Sequence, residues 1–329
     1  MANLINDIAL FRVSAFNSQE SGDAFFNQFL FVQLMSQNRY SDVISYGMEL
    51  LNECKNTDLK AFNSIHKGTP YYWMGMAAFL SNDFVSAVYF FDQALSEDIR
   101  NKTKEKLIIS PSYLFVTLND KIEFQAARDL VTNTISTIDQ YISIYNDPYL
   151  GTKKLSIESI CNCLILPSTS EPDHPWRTLS TSFISFFLEW NYRQSLINLR
   201  DQDNSKEAYF VHLFKGCLLV ESLLKANNKN PIPNTSQNRT MGRILRLLRK
   251  DLGLEASNCD IGDTTFPKIL SELETIHGGL PKYIEITGKI RNTLGHNLVW
   301  NVNLNHKDYH LLFSCISLSI LHILNQLFL

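Results

Sequence analysis

The chain has 329 residues, of which 45% are apolar and 19% are charged, and its formal net charge is -3 at pH 7. This balance is typical of a folded globular protein and excludes a globally disordered chain. A slightly acidic chain does not coat nucleic acid with its whole surface, so any such contact requires a local basic patch. The length allows two domains.

The N-terminal stretch lacks the pattern of a secretory signal peptide. Asp7 and Arg12 interrupt it, and no basic segment precedes a long apolar core. Among six cysteines only Cys161 and Cys163 lie close together, and no His-rich or Cys-rich motif accompanies them. We therefore expect a cytoplasmic protein with reduced, mostly buried thiols and without a metal or other cofactor.

Residues 1–145 are predicted to form an irregular helical-repeat domain. In the segment GTPYYWMGMAAFLSNDFVSAVYFFDQALSED, Ala87, Phe91 and Ala94 lie on one face of the second of two helices. Together with Gly75 they match the small and aromatic positions of a tetratricopeptide repeat, which this segment resembles. The segments before and after it repeat the helix–turn–helix pattern more loosely, with Asn38 in the first turn. A generic helical bundle without a binding groove is the alternative.

A linker is predicted for residues 146–176, because the stretch PSTSEPDHPW contains three prolines and little apolar pattern. Residues 177–329 then read as a helical bundle of five or six elements. Its last stretch, Tyr309–Leu329, has no formal charge over a length that could span a membrane. Polar residues are interleaved through it, so we expect a buried bundle helix and no membrane contact. The predicted fold class is all-α.

The stretch RNTLGHN brings together residues with a specific chemistry near the end of one predicted helix. Asn292 and His296 share a face if the helix continues, whereas Gly295 could end the helix and let His296 fold back towards Arg291. A guanidinium binds phosphate and stays charged, and an imidazole transfers protons near neutral pH. Together they suffice for attack of an RNA 2'-hydroxyl on its adjacent phosphate without a metal.

The motif Arg291-Asn292-x-x-x-His296 resembles the signature of HEPN-domain ribonucleases, in which four to six residues separate an arginine and a histidine. The segment FKGCLLVESLLK resembles an early helix of such bundles, and the apolar terminal helix agrees with this. The resemblance covers residues 176–329. It implies a HEPN-like bundle that dimerises and cleaves RNA to 2',3'-cyclic phosphate and 5'-hydroxyl ends. By the same resemblance His296 is the general acid/base, Arg291 holds the scissile phosphate and Asn292 positions its neighbours.

These features lead us to expect a regulated toxin or antiviral-defence effector. Its N-terminal repeats would bind a protein or peptide regulator, since such repeats present grooves. Two alternatives remain. The bundle could serve only as a non-catalytic adaptor, through dimerisation or nucleotide binding, or Arg291 could stabilise a helix C-terminus while His296 is an ordinary turn residue.

Other basic residues are secondary candidates for RNA binding. Arg243, Arg246 and Arg249 recur every third residue, opposite an apolar set of Ile244, Leu247 and Leu248. They could follow an RNA backbone, although a solvated helix face is the alternative. Lys289 could add phosphate attraction beside the motif.

Three further residues have weaker signals. Glu221, in the early bundle helix, could orient Arg291, or it could be a structural or surface glutamate. His306 and His310 have a spacing that permits metal binding, but no third ligand is evident, so we expect no metal site there.

Overall fold

The computed structural model describes residues 25, 29–147, 154–199, 206–233, 235–262, 264–276, 279–296 and 303–329. Within these ranges the regular elements are helices and no strand occurs, which confirms the predicted all-α class. The main helices are α1 (Phe29–Ser36), α2 (Tyr40–Thr57), α3 (Leu59–Ser64), α4 (Gly68–Leu80), α5 (Phe84–Asn101), α6 (Lys104–Leu107), α7 (Pro111–Val116), α8 (Gln125–Tyr145), α9 (Ile157–Ser168), α10 (Arg177–Leu199), α11 (Glu207–Ala226), α12 (Met241–Leu248), α13 (Phe266–Glu274), α14 (Leu280–His296) and α15 (His306–Ile323).

The chain divides into two compact units. The first comprises the described residues up to Thr132 together with Ser168–Arg177, and the second comprises Asn133–Pro167 together with Thr178–Leu329. These limits differ from the predicted domains 1–145 and 177–329. Helix α8 begins in the first unit and ends in the second, and the predicted linker contributes residues to both.

Hydrogen bonds from Arg177 attach the short segment Ser168–Arg177 to the first unit. Its Nε donates to Asp92 Oδ1 at 2.5 Å, and its Nη2 donates to Ser96 Oγ at 3.2 Å. Both partners lie on α5, and Arg177 itself is buried. The local sequence pattern could not predict these hydrogen bonds of Arg177, because Asp92 lies 85 residues away in the chain.

Three helices of the first unit end in the same hydrogen-bonded turn. At the end of α4, Asn82 has φ +61° and Asp83 N–H donates to the carbonyl of Ala78 at 2.9 Å. Asn38 after α1 and Leu118 after α7 repeat this geometry, with φ +57° and +54°. This is the Schellman motif, which closes a helix and redirects the chain. The helix–turn–helix pattern predicted for the three segments is therefore present, whereas membership of the tetratricopeptide family stays a prediction.

The residues that suggested a repeat face the core of the first unit. A Cβ placed on Gly75 would lie 3.1 Å from ring carbons of Phe91, so α4 and α5 approach closely there. Ala87 and Ala94 are buried on the same face of α5. Phe91 in turn stacks on Phe115 of α7, with ring centroids 3.9 Å apart.

The second unit has an aromatic core between α10, α11 and α15. Trp190 stacks on Phe313 with ring centroids 3.9 Å apart. His212 lies in this core, where Nδ1 is 2.6 Å from the hydroxyl of Tyr309 and Nε2 is 2.8 Å from the carbonyl of Phe186. Burial lowers the pKa of His212 to about 4, so the ring is neutral near pH 7.

The apolar C-terminal stretch forms α15 and continues as a wider helical turn, Leu324–Phe328. The span His306–Phe328 is long and apolar enough to cross a membrane, and 83% of its most apolar window is buried within the protein. Asn305 caps α15, since its side chain accepts from Asp308 N–H while the Asp308 carboxylate accepts from Asn305 N–H. In this structure α15 is a core helix of the second unit.

Candidate functional site

Helix α14 carries the arginine–histidine motif on its last turns. It continues through Gly295 and ends at His296, so the alternative in which the chain folds back at Gly295 is not observed. Because each helical residue advances by about 100°, Asn292 and His296 lie about 40° apart around the axis, and Arg291 and His296 about 140°. The side chain of His296 lies outside the described residues.

Arg291 is oriented by a buried carboxylate. Its Nε donates to Glu221 Oε2 at 3.0 Å, and its Nη1 donates to Asn292 Oδ1 at 3.4 Å. The other oxygen of Glu221 accepts from Lys225 Nζ at 2.7 Å. Glu221 thus bonds the arginine side chain, and a role in orienting it for catalysis stays a prediction. One carboxylate lies between two cations, which leaves one positive charge in excess.

Asn292 is fixed by the loop before α13. Its Nδ2 donates to the carbonyl of Ile261 at 3.1 Å, which turns its Oδ1 towards Arg291. The Ile261 side chain packs between α14 and α12. A Cβ on Gly288 would lie 2.9 Å from Ile261 Cγ2, and one on Gly242 would lie 3.2 Å from Ile261 Cγ1. Both glycines therefore make room for the loop that holds Asn292.

The first turn of the predicted basic helix α12 packs against this same loop. Arg243, Arg246 and Arg249 are exposed, as expected for one face of an amphipathic helix. The opposite face differs in one residue from the predicted set. Leu247 is 50% exposed, and Leu245 is buried together with Ile244 and Leu248.

Lys289 lies on the other side of α14 from Arg291, about 160° around the axis. Its Nζ is 3.0 Å from Glu272 Oε2 and 2.8 Å from Glu285 Oε1. Burial alone would lower the pKa of Lys289, but hydrogen bonds to Glu285 and Glu272 raise it. Two carboxylates compensate this ammonium, so the geometry gives no support to a role in phosphate attraction.

The candidate metal-binding residues do not converge with further ligands. His306 Nε2 lies 3.5 Å from Gln194 Nε2, and His310 packs against Trp190. In the described part of the chain, no three His, Cys, Asp or Glu side chains are grouped so as to hold a metal ion. Burial raises the pKa of Cys161 to about 11 and that of Cys163 to about 12, so both thiols stay protonated near neutral pH.

The sequence did not predict a polar cluster in the first unit that contains a histidine, an aspartate and a serine. His66, Asp98 and Ser112 meet in the first unit, where all three are buried. They are separated by 32 and 14 residues, so no short motif contains them. The one local signal is the pair of adjacent acids Glu97–Asp98 near the end of an amphipathic helix.

Comparisons with protein-family models, with curated proteins and with solved structures found no match.

Proposed function

We propose that the protein is a metal-independent endoribonuclease of the HEPN type, with Arg291, Asn292 and His296 as its site. The observation that carries the proposal is the hydrogen bonding of the Arg291 guanidinium. Glu221 holds Nε, whereas Nη2 has no hydrogen-bond partner among the described residues. An arginine fixed at one edge presents its remaining donors to a phosphate without further loss of side-chain freedom.

The reaction needs two proton transfers and a charge stabiliser. A base takes the proton of the 2'-hydroxyl, the 2'-oxygen forms a bond to phosphorus, and the bond from phosphorus to the 5'-oxygen breaks. An acid gives a proton to the leaving 5'-oxygen, and no water is consumed. Arg291 would stabilise the charge on the phosphorane, and His296 would transfer protons.

A single histidine cannot act as base and acid in the same step, which supports a homodimer. Helix α11 bears an exposed apolar strip next to the motif. Val211 is 52% exposed and Leu218 is 41% exposed, and Phe214 between them lies against Gly295. Their spacing continues to Glu221 on one helix face. A partner packed on this strip around a two-fold axis would bring a second motif to the first.

The arginines of α12 would guide the RNA backbone. Helices α12 and α14 hold the same Ile261 loop, so the basic face and the motif belong to one part of the second unit. Exposed guanidinium groups attract phosphates without reading sequence. Within this proposal the first unit would bind a protein or peptide regulator, and the protein would act in the cytoplasm as a toxin or antiviral-defence effector.

The test is cleavage of end-labelled RNA in EDTA by the full chain and by Arg291→Ala and His296→Ala. We expect each substitution to lower the cleavage rate by about 100- to 1000-fold, the usual effect of removing one donor to a charged intermediate. The products should carry 2',3'-cyclic phosphate and 5'-hydroxyl ends.

Matched controls are available in the same unit. Arg193 is 24% exposed and lies 3.4 Å from the buried Glu189, so its environment is close to that of Arg291, which is 27% exposed. His306 is a histidine at a helix start. Arg193→Ala and His306→Ala should keep the activity. Equal rates in all four variants, or products with 3'-hydroxyl ends, would contradict the proposal.

A non-catalytic adaptor is the second candidate, and the apolar strip on α11 favours it as well. If purified protein dimerises but leaves RNA intact under all conditions, the bundle serves association and the Arg291–Glu221 pair is structural.

A further inference from the structure

A cavity of about 630 Å³ opens in the first unit and has no role in the proposed cleavage. Its volume is in the range of pockets that hold small organic molecules, about 300–1000 Å³. All residues that line it belong to the first unit. Three kinds of wall surround it: a buried polar cluster, two aromatic rings and two lysines.

The polar cluster forms a fixed wall. Asp98 Oδ1 accepts from His66 Nε2 at 2.8 Å and from Lys102 Nζ at 2.6 Å, and Oδ2 accepts a short hydrogen bond from Ser112 Oγ. Gly68, the first residue of α4, leaves room for this pair. A Cβ there would lie 2.7 Å from His66 Cε1 and 3.2 Å from Asp98 Oδ1.

This cluster is not built as a hydrolase centre. In a serine hydrolase the histidine lies between the serine and the acid and takes the serine proton. Here Asp98 lies between His66 and Ser112. Burial alone would raise the pKa of Asp98, but hydrogen bonds from His66, Lys102 and Ser112 lower it to about 2, so the carboxylate is a poor base. The cluster is therefore suited to binding and not to nucleophilic catalysis.

The two lysines of the cavity supply hydrogen-bond donors beyond the one used on Asp98. Asp98 already accepts three hydrogen bonds, whereas an ammonium has three donors and Lys102 uses one of them on Asp98. Lys106 is exposed and has no partner among the described residues. With Asp98 negative and both lysines positive, these three groups leave an excess of one positive charge. Such a site favours an anion with several acceptor oxygens.

The aromatic wall consists of Tyr72 and Trp73 on α4. Their rings are 5.8 Å apart in an edge-on arrangement, and both are partly exposed. Burial raises the pKa of Tyr72 to about 12, so its ring stays uncharged. A partly exposed indole beside a cationic rim can stack on a flat heterocycle.

We propose that this cavity binds a nucleoside monophosphate, with the phosphate at Lys102 and Lys106 and the base against Trp73. A phosphate monoester has three strong acceptor oxygens and close to two negative charges, which matches two lysines better than a carboxylate does. The volume accommodates the sugar and base in the same cavity. This site is independent of the RNA-cleavage proposal.

The test is calorimetric titration of the full chain with AMP, GMP, CMP and UMP, and with the matching nucleosides and inorganic phosphate. We expect at least one nucleotide to bind with one site per chain, at least tenfold more tightly than its nucleoside or phosphate alone. Lys106→Gln and Trp73→Leu should each weaken binding by at least tenfold. Because Lys106 is exposed, its substitution leaves the fold intact.

Matched controls lie outside the cavity. Lys104 is on the same short helix as Lys106, and Tyr89 is an aromatic residue that is 57% exposed. Lys104→Gln and Tyr89→Leu should bind as the unchanged protein does, and so should Arg291→Ala. The proposal is overturned if no nucleotide binds up to about 1 mM, if a nucleoside binds as tightly as its nucleotide, or if Lys106→Gln and Trp73→Leu have no effect.

Discussion

The cluster around Asp98 and the cluster around Arg291 show two different uses of ion pairs. The side chain of Asp98 is 4% exposed, and three neighbours donate to it. The side chain of Arg291 is 27% exposed, and Glu221 bonds only one edge of it. The central charge of the first cluster is bonded on all sides by its neighbours, whereas in the second cluster Nη2 of Arg291 has no hydrogen-bond partner among the described residues.

Because of this difference, we expect the Asp98 cluster to contribute more to stability and the Arg291 cluster to be more available to a ligand. A buried charge whose partners are removed has a large desolvation cost, so such a network is hard to alter. In the Arg291–Glu221 pair the arginine is partly exposed, so water screens part of the attraction and the pair contributes less to stability. The Asp98 cluster therefore fixes the wall of a cavity, and the Arg291 cluster has the freedom to exchange one partner for a ligand.

The largest expected effect is on the stability of Asp98→Ala. We expect the free energy of unfolding to fall by about 3–5 kcal/mol, since His66 and Lys102 lose the charge they are bonded to. Urea denaturation measures this. Asp42→Ala is the control, because Asp42 is 48% exposed and pairs with Arg39 at the surface, and it should cost less than about 1 kcal/mol. Similar losses in both variants would show that the Asp98 cluster is not a buried network in solution.

The second prediction concerns the apolar strip beside Arg291. A dimer that completes the site should dissociate in the double variant Val211→Glu, Leu218→Glu, at a cost above about 2 kcal/mol of association free energy. Sedimentation velocity gives the oligomeric state, and RNA cleavage should fall with it. Leu199→Glu on α10 is the control, because Leu199 is 78% exposed and lies outside the strip. A monomeric double variant with full activity would exclude the shared site.

The third prediction concerns pH and compares the buried His212 of the second unit with the Asp98 cluster of the first unit. His212 has its pKa lowered to about 4 by burial, against an ordinary value of 6.5. Above pH 6.5 both the folded and the unfolded state are neutral at this residue. Below it, the unfolded chain takes up a proton and the folded chain does not. Stability is therefore lost as pH falls from 6.5 towards 4, by about 2 kcal/mol at pH 5.

Burial also lowers the pKa of His322, which adds to the loss in the same direction. Asp98 affects stability in a different pH range. Its pKa is lowered from 3.8 to about 2, so its contribution is complete above pH 3.8 and is lost only below that value. Denaturation at pH 7, 6 and 5 measures the slope. His212→Gln should reduce this slope, and an unchanged slope would argue against a neutral His212 in the folded state.

The sequence predicted those features that depend on neighbours along one helix. The helical hairpin with Gly75 and Phe91 is an example, because both residues follow from spacing within two adjacent helices. The motif Arg291-Asn292-x-x-x-His296 is another, since six consecutive residues of one helix contain it. The exposed arginines of α12 were predicted for the same reason.

Contacts between distant segments could not be predicted in this way. Asn292 bonds the carbonyl of Ile261, and a backbone carbonyl has no sequence signature. The cavity wall joins His66 to Asp98 across 32 residues, and many pairings of histidine and acid have such a separation. Lys289 looked available beside the motif, but Glu272 on another helix compensates it.

The smallest expected effect tests Glu221 as a positioning residue for Arg291. Glu221→Gln keeps the shape of the side chain and one acceptor, but it removes a negative charge between Lys225 and Arg291. Because the Arg291 guanidinium would be held less firmly, we expect kcat for RNA cleavage to fall about tenfold. This corresponds to an increase of about 1.4 kcal/mol in the activation free energy.

The same substitution raises the local positive charge from one to two, so KM for RNA should decrease at low salt and the decrease should vanish at high salt. A variant that is merely less stable would lose active molecules and would show no decrease in KM. Glu189→Gln is the matched control, because Glu189 is equally buried and also lies between two cations, Lys215 and Arg193. It should leave both constants unchanged. An increase in KM for Glu221→Gln would contradict this prediction, because it would mean that Glu221 helps Arg291 to bind RNA in the ground state. The proposal that Glu221 only orients Nε and leaves Nη2 available to the phosphate would then be wrong.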